Sequence, residues 1–118
     1  MSNFLPVEIL FTHDFQGQLR KLAKRYRNIR SDLQPLLNDL NRGNYPGDRI
    51  SGFADFFIYK VRIKNSDIRK GKSGGYRVIY QSMNATTIVL LYLYSKSDRD
   101  NIGLDEIGAI IKKFKTSD

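Results

Sequence analysis

Three basic residues recur at every second position in one stretch of the chain, namely Lys60, Arg62 and Lys64. Side chains of a β-strand alternate between two faces, so a strand here would place all three on one face of a sheet. Arg77 lies in the next apolar stretch and falls opposite this row if the two strands pair as a hairpin. Because neighbouring like charges are destabilising, the row predicts a water-exposed cationic face that binds an anion. A solvated face that deters edge-to-edge aggregation is the alternative.

The segment between these two stretches, residues 65–75, is rich in basic residues and glycine. It is not a P-loop, because Ser66 stands five positions before Gly71, where that motif requires a glycine, and a strand rather than a helix follows. We interpret Lys70 and Lys72 as part of a loop that contacts the backbone phosphates of a nucleic acid. A plain hairpin loop is the alternative.

Lys96 and Arg99 follow the apolar run Ile88–Tyr94. Side chains at strand ends often point into functional sites. Lys96 would reach the cationic row if its strand lies beside that row. An ordinary exit loop is the alternative.

The composition narrows the classes of protein. The chain has 118 residues, which predicts a single domain over residues 1–118. It has no cysteine and one histidine, His13, which excludes disulfides, thiol catalysis and a pair of catalytic histidines. The residues give no basis for a metal or another cofactor. Twenty Lys and Arg against 12 Asp and Glu give a formal charge of +8, which indicates a polyanionic partner.

The sequence also bears on where the protein acts. The longest apolar run, Ile88–Tyr94, is far shorter than the roughly 20 residues of a membrane span. The N-terminus does not resemble a signal peptide. We therefore expect a cytoplasmic protein without a membrane partner.

The apolar periodicity predicts elements in the order β-α-α-β-β-β-α. The predicted strands are Val7–Phe11, Phe57–Lys64, Tyr76–Gln81 and Thr87–Tyr94, the helical stripes are Phe15–Tyr26, Leu33–Leu40 and Leu104–Phe114, and residues 47–52 form a loop. Thr12 or Asp14 is expected to cap the first helix. Ser31 or Asp32 is expected to cap the second, with Pro35 in or next to its first turn. The pattern predicts an α+β fold, a small and mostly antiparallel four-stranded sheet with two N-terminal helices packed on one face and a C-terminal helix.

The ordered combination of elements and motifs resembles the RelE/ParE superfamily of bacterial toxins. The resemblance rests on the strand Tyr59-Lys60-Val61-Arg62-Ile63, the strand Gly74-Gly75-Tyr76-Arg77-Val78-Ile79-Tyr80 and the exit Tyr94-Ser95-Lys96-Ser97-Asp98. The loop Lys70-Gly71-Lys72-Ser73-Gly74-Gly75 looks most like the HigB branch. The similarity covers nearly the whole chain.

The resemblance implies the toxin of a type II toxin–antitoxin system. In the RelE and HigB branches it implies an mRNA interferase, an endoribonuclease that cuts translated mRNA in the ribosomal A site without a metal. It also implies a cognate antitoxin that neutralises the toxin. By position, the catalytic lysines of RelE-type toxins fall on Lys60 and Arg62, and the phosphate-holding arginine falls on Arg77.

Two family positions differ in this chain. The second RelE arginine aligns near Ser97, where Lys96 and Arg99 are the available substitutes. The C-terminal tyrosine aligns near Gly103, and no tyrosine follows Tyr94. Base stacking and part of the acid–base chemistry would therefore be arranged differently from the family pattern.

The implied reaction agrees with the residue types. When a ribose 2′-hydroxyl attacks the adjacent phosphate, the reaction needs a base, positive charge for the transition state and an acid for the leaving oxygen. Crowded cations lower the pKa of a lysine, so Lys60 or Lys96 is the predicted base or acid. Arg62 and Arg77 are predicted to hold the phosphate. The predicted RNA-binding residues are Lys64, Lys70, Lys72 and Arg99.

Two other functions remain open from the sequence. A ParE-like toxin shares the fold and inhibits DNA gyrase by binding. A non-catalytic relic that binds nucleic acid would also keep the basic residues. For a toxin, we expect an antitoxin segment to cover the cationic face or the helix Leu104–Phe114.

Overall fold

The computed structural model describes residues 6–68 and 74–116, which form one sheet with helices on both faces. The elements are β1 (Glu8–Phe11), α1 (His13–Ala23), α2 (Ile29–Asn41), β2 (Asp48–Arg49), β3 (Phe57–Ile63), β4 (Tyr76–Asn84), β5 (Thr87–Ser95) and α3 (Leu104–Thr116). The strand order is β1-β5-β4-β3-β2. β1 runs parallel to β5, and the other neighbours are antiparallel. The predicted α+β class is confirmed.

The sheet has a fifth strand that the sequence did not predict. Asp48 and Arg49, expected to lie in a loop, pair with Lys60 and Tyr59 of β3. Two residues are too few to show a periodic pattern. Gly47 makes this pairing possible, because its φ is +98° and a Cβ atom there would overlap the carbonyl group of Lys60.

Thr12 joins α1 to the sheet. Of the two predicted caps, Thr12 is the N-cap, and its Oγ1 accepts a hydrogen bond from the backbone N–H of Phe15 at 2.9 Å. The same hydroxyl donates to the carbonyl of Leu91 at 2.7 Å. The buried Thr12 side chain therefore caps α1. It also satisfies a carbonyl of β5 at the point where the neighbouring strand β1 has ended.

The predicted start of α2 is wrong. The helix begins at Ile29 with Asn28 as its N-cap, so Pro35 lies inside the helix rather than in its first turn. Asn28 makes no capping bond with its own side chain. Instead, the Asp67 carboxylate accepts from the Asn28 backbone N–H at 3.1 Å and from its Nδ2 at 2.9 Å. A cap supplied from 39 residues away leaves no local sequence signal.

The two faces of the sheet carry separate apolar cores. α1 and α2 cover the face that holds Val61, Val78 and Leu90. α3 packs on the other face. The core on that face includes Ile58, Ile79, Val89, Ile107 and Ile111. The side chains of β3 thus alternate between the two faces, as expected for the predicted strand. None of the described helices is long and apolar enough to cross a membrane.

A β-bulge in β5 places an aromatic residue beside the basic row. The partner of Ile79 is Tyr92 while that of Tyr80 is Leu90, so Leu91 is an extra residue in β5. The bulge reverses the alternation, and Tyr94 therefore shares a face with Leu91 in the α3 core. Alternation without a bulge would have put Tyr94 on the opposite face.

Candidate active site

The predicted hairpin pairing of the basic row is confirmed. Arg62 on β3 is the direct cross-strand partner of Arg77 on β4. Arg77 is in turn the partner of Tyr94 on β5. Cross-strand partners share one face of a sheet, so two guanidinium groups and a phenol ring lie in one row. Lys60 lies two residues before Arg62 on the same face.

Arg77 departs from the expected water-exposed position. It is 5% exposed, whereas Arg62 is an exposed residue. One of its guanidinium nitrogens donates to the carbonyl of Tyr76 at 3.1 Å. Burial and the nearby charge of Arg62 lower the pKa of Arg77, against a smaller opposing effect of Tyr94. The prediction of a fully water-exposed cationic face is therefore wrong at this residue, because β4 is an interior strand.

Lys60 is half-buried, and its ammonium group is held in place. Nζ donates to the side-chain oxygen of Asn101 at 2.9 Å. Burial lowers the pKa of Lys60, and the positive charges of Arg77, Lys96 and Arg62 lower it further. Asp48 of β2 acts in the opposite direction. Lys60 is thus a lysine whose neutral form is favoured by its surroundings.

Lys96 lies where β5 ends, close enough for its charge to act on Lys60. Its backbone N–H donates to the carbonyl of Gly75 at 2.9 Å, which ties the start of β4 to the end of β5. Its Nζ donates to the carbonyl of Asp100 at 3.1 Å and lies 3.4 Å from the Asp100 carboxylate. That carboxylate is almost fully exposed, so the ion pair is readily exchanged for another anion.

Arg99 braces the segment that follows β5. Its guanidinium pairs with Glu106 in the first turn of α3 at 2.8 Å. Its Nε donates to the carbonyl of Asn101 at 2.9 Å. The guanidinium carbon also lies 5.8 Å from the ring centres of Tyr92 and Tyr94. These contacts are within the fold, so RNA binding by Arg99 stays a prediction.

The other predicted RNA-binding residues lie at or beyond the end of β3. Lys64 is exposed and directly follows the strand. Lys70 and Lys72 fall outside the described residues. Within residues 6–68 and 74–116, no group of three or more His, Asp or Glu side chains is placed to hold a metal ion.

Two residues of the site were missed by sequence reasoning. Asn101 sits in a polar segment with no motif, and only the folded chain brings it to Lys60. Tyr94 appeared to be an ordinary apolar strand residue, yet its buried hydroxyl has no hydrogen-bond partner among the residues that the structure describes. Burial raises the pKa of this phenol, while Arg77 and Arg99 act to lower it. The tyrosine therefore stays protonated beside the arginine row.

The arrangement can bind an anion and move a proton. Arg62 and Arg77 supply adjacent guanidinium groups, and Lys60 supplies an amine whose pKa is lowered. Planar guanidinium groups match the geometry of phosphate oxygens. A phosphodiester in this row would lie beside the amine.

Comparison with known protein families gives a match over most of the chain. A family model described as the RelE toxin of the RelE / RelB toxin-antitoxin system matches residues 15–117. This range contains Lys60, Arg62, Arg77 and Lys96. Searches of curated proteins and of solved structures each returned no match.

Proposed function

Because the chain belongs to the RelE toxin family of toxin–antitoxin systems, we propose that it is an endoribonuclease that cuts mRNA on the ribosome. The observation that carries the proposal is the half-buried Lys60 beside the paired Arg62 and Arg77. A toxin that only binds its target needs no amine with a lowered pKa. RNA supplies its own nucleophile, the ribose 2′-hydroxyl. The protein therefore mainly has to provide a base and positively charged groups that bind the phosphate.

In the proposed reaction, Lys60 acts as the general base. Its neutral amine takes the proton of the 2′-hydroxyl, and the 2′-oxygen forms a bond to the adjacent phosphorus. A lysine with its ordinary pKa would be almost fully protonated at neutral pH and could not accept this proton. Burial and three neighbouring cations favour the neutral form in this chain.

Arg62 and Arg77 hold the phosphate in this scheme. The attack places extra negative charge on the non-bridging phosphate oxygens, and two guanidinium groups stabilise that charge more in the transition state than in the substrate. Arg77 is fixed by burial and by its bond to the Tyr76 carbonyl. Such a prepositioned donor loses little conformational entropy when the charge develops.

Lys96 is the proposed general acid. As the bond between phosphorus and the 5′-oxygen breaks, its ammonium group gives a proton to the leaving oxygen. The products are a 2′,3′-cyclic phosphate and a free 5′-hydroxyl. Exchange of the exposed Asp100 contact for RNA would release Lys96 for this role.

The proposal extends to the partners. A RelE family toxin implies an antitoxin partner, and we propose that an acidic antitoxin segment covers the cationic face or α3. mRNA and the ribosome are the proposed targets, in the cytoplasm. Membership of the HigB branch stays a prediction.

The experiment is inducible expression in bacteria, followed by primer extension on abundant mRNAs. We expect growth arrest with new 5′ ends inside translated codons. Lys60→Met and Arg77→Gln should abolish both effects, whereas Arg30→Gln, which changes an exposed arginine on α2, should retain them. Circular dichroism of each purified variant controls for loss of folding.

Other outcomes would overturn the proposal. Growth arrest with intact mRNA would indicate a different target, such as DNA gyrase. RNA binding without arrest or cleavage would indicate a non-catalytic module.

A further inference from the structure

The segment between β5 and α3 brings one neutral side chain to the amine of Lys60. Asn101 Oδ1 accepts a hydrogen bond from Lys60 Nζ at 2.9 Å, although the two residues are 41 positions apart. Asn101 is itself an exposed residue. An exposed asparagine that makes such a contact must be held by the backbone around it.

Four contacts hold this backbone. Ile102, the next residue, is 4% exposed and packs in the α3 core. The carbonyl of Asn101 accepts from Arg99 Nε at 2.9 Å. Glu106 pairs with Arg99 at 2.8 Å and also accepts from the backbone N–H of Gly103 at 3.3 Å. The Arg99–Glu106 ion pair thus connects the two ends of this segment, and Asn101 lies between them.

We propose that Asn101 is a positioning residue that holds the Lys60 amine in the orientation needed for proton abstraction. The inference rests on the proposed function, and it concerns a residue outside the RelE-type positions carried over from the sequence. A neutral lysine amine has two N–H bonds and one lone pair. When Asn101 accepts one N–H, rotation about the Cε–Nζ bond is restricted, and the lone pair is confined to one of the two other positions on the nitrogen, where the proposal has it meet the 2′-hydroxyl.

The charge of the acceptor matters as much as its position. Four charged groups face Lys60: Arg62 on its own strand, Arg77 on β4, Lys96 at the end of β5 and Asp48 on β2. A neutral acceptor favours the ammonium form only modestly, so the cations still keep the pKa low. A carboxylate at position 101 would oppose their effect. An amide therefore combines orientation with an available neutral amine.

The test is a pH titration of the Lys60 side chain by NMR, using protein with ¹³C-labelled lysine and Lys60→Met to assign the Cε signal. Asn101→Ala removes an acceptor that favours the ammonium, so the midpoint should move to lower pH. Asn101→Asp adds a negative charge, so the midpoint should move to higher pH. Asn84→Asp is the matched control, because it adds the same charge at the β4–β5 turn and should leave the midpoint unchanged.

Cleavage rates under single-turnover conditions give the second readout. For Asn101→Asp, the acidic limb of the pH–rate profile should move to higher pH, and each unit of movement lowers the rate near neutral pH about tenfold. For Asn101→Ala, the limb should move to lower pH while the plateau rate falls, because the amine has lost its orientation. A purely structural role would lower the rate at all pH values without moving the limb.

The outcomes separate this inference from the proposed function. Equal Lys60 midpoints in the wild type, Asn101→Ala and Asn101→Asp would overturn the positioning role, whatever the cleavage activity. Midpoints that move as expected, together with cleavage that survives in Lys60→Met, would instead reject Lys60 as the base and leave the contact with Asn101 intact.

Discussion

Arg62 and Arg77 face each other directly across β3 and β4, one exposed and the other almost fully buried. Like charges at such positions destabilise a sheet. Arg77 is buried, so the proposed binding of an RNA phosphate beside the two groups would lower their mutual repulsion. On this proposal, the pair would link the stability of the free protein to the binding of its ligand.

Replacing Arg62 by Gln should stabilise the free protein and weaken RNA binding. Removal of one like charge should raise the free energy of unfolding by about 0.2–1 kcal/mol. Loss of one phosphate contact should reduce the slope of log K against log salt by about 0.7 for single-stranded RNA. Urea unfolding and binding titrations at several salt concentrations measure the two effects. For stability alone, Lys64→Gln is the control, because Lys64 lies beyond the last β3–β4 pair. Equal stabilisation by both substitutions would contradict the argument.

The lowered pKa of Lys60 predicts a pH-dependent stability. The unfolded chain, with an ordinary lysine pKa near 10.5, binds more protons than the folded chain between the two pKa values. The free energy of unfolding therefore rises with pH through this window. Below the window, the full cost of burying the charged Lys60 beside other cations is present. Lys60→Met should be more stable than the wild type near neutral pH, and this advantage should shrink as the pH approaches 10.5.

Urea unfolding at about pH 7 and about pH 10 measures this difference. Lys64→Met is the matched control, since it removes an exposed lysine that directly follows the same strand. A Lys60→Met advantage that is constant across the pH range would show that the apolar packing of Met, rather than removal of the Lys60 charge, causes the effect.

Periodicity predicted most of the fold because the relevant signals are local. The alternation of β3 places its residues correctly on the two faces. The errors arise where a distant contact decides the structure. Asp67 caps α2 from another part of the chain, and Gly47 permits a two-residue strand. Neither contact changes the local pattern of apolar residues.

The candidate site was predictable in its charges but not in its surroundings. The pairing of Arg62 with Arg77 followed from period two and a hairpin. The burial of Arg77 depends on β4 lying inside the sheet, and the position of Tyr94 depends on a bulge at Leu91. The contact of Asn101 with Lys60 depends on the ion pair between Arg99 in the loop and Glu106 in α3. Sequence periodicity carries none of these tertiary relationships.

Gly47→Ala should disturb the site from the edge of the sheet. The added methyl group would overlap the Lys60 carbonyl, so β2 must move away from β3. Gly43→Ala is the control, because Gly43 also has a positive φ, +82°, but has open space around it. We expect Gly43→Ala to cost about 1 kcal/mol from backbone strain alone and Gly47→Ala to cost more. Only Gly47→Ala should also lower RNA cleavage. If both substitutions lower the free energy of unfolding equally, β2 adapts to the methyl group without disturbing Lys60.

Tyr94→Phe tests whether the buried hydroxyl beside Arg77 has a functional role. Among the described residues, the hydroxyls of Tyr94 and Tyr76 are both buried without a hydrogen-bond partner. Removing such a group relieves a desolvation cost, so both Tyr94→Phe and Tyr76→Phe should leave stability unchanged or raise it by up to about 1 kcal/mol. The two residues differ in place, because Tyr76 packs in the core under α1 and α2 whereas Tyr94 is the cross-strand partner of Arg77. Because Tyr94 neighbours Arg77, the proposed phosphate-binding arginine, Tyr94→Phe alone should slow cleavage if the hydroxyl takes part in the reaction. Unchanged cleavage in both variants would assign the Tyr94 hydroxyl no part in the reaction.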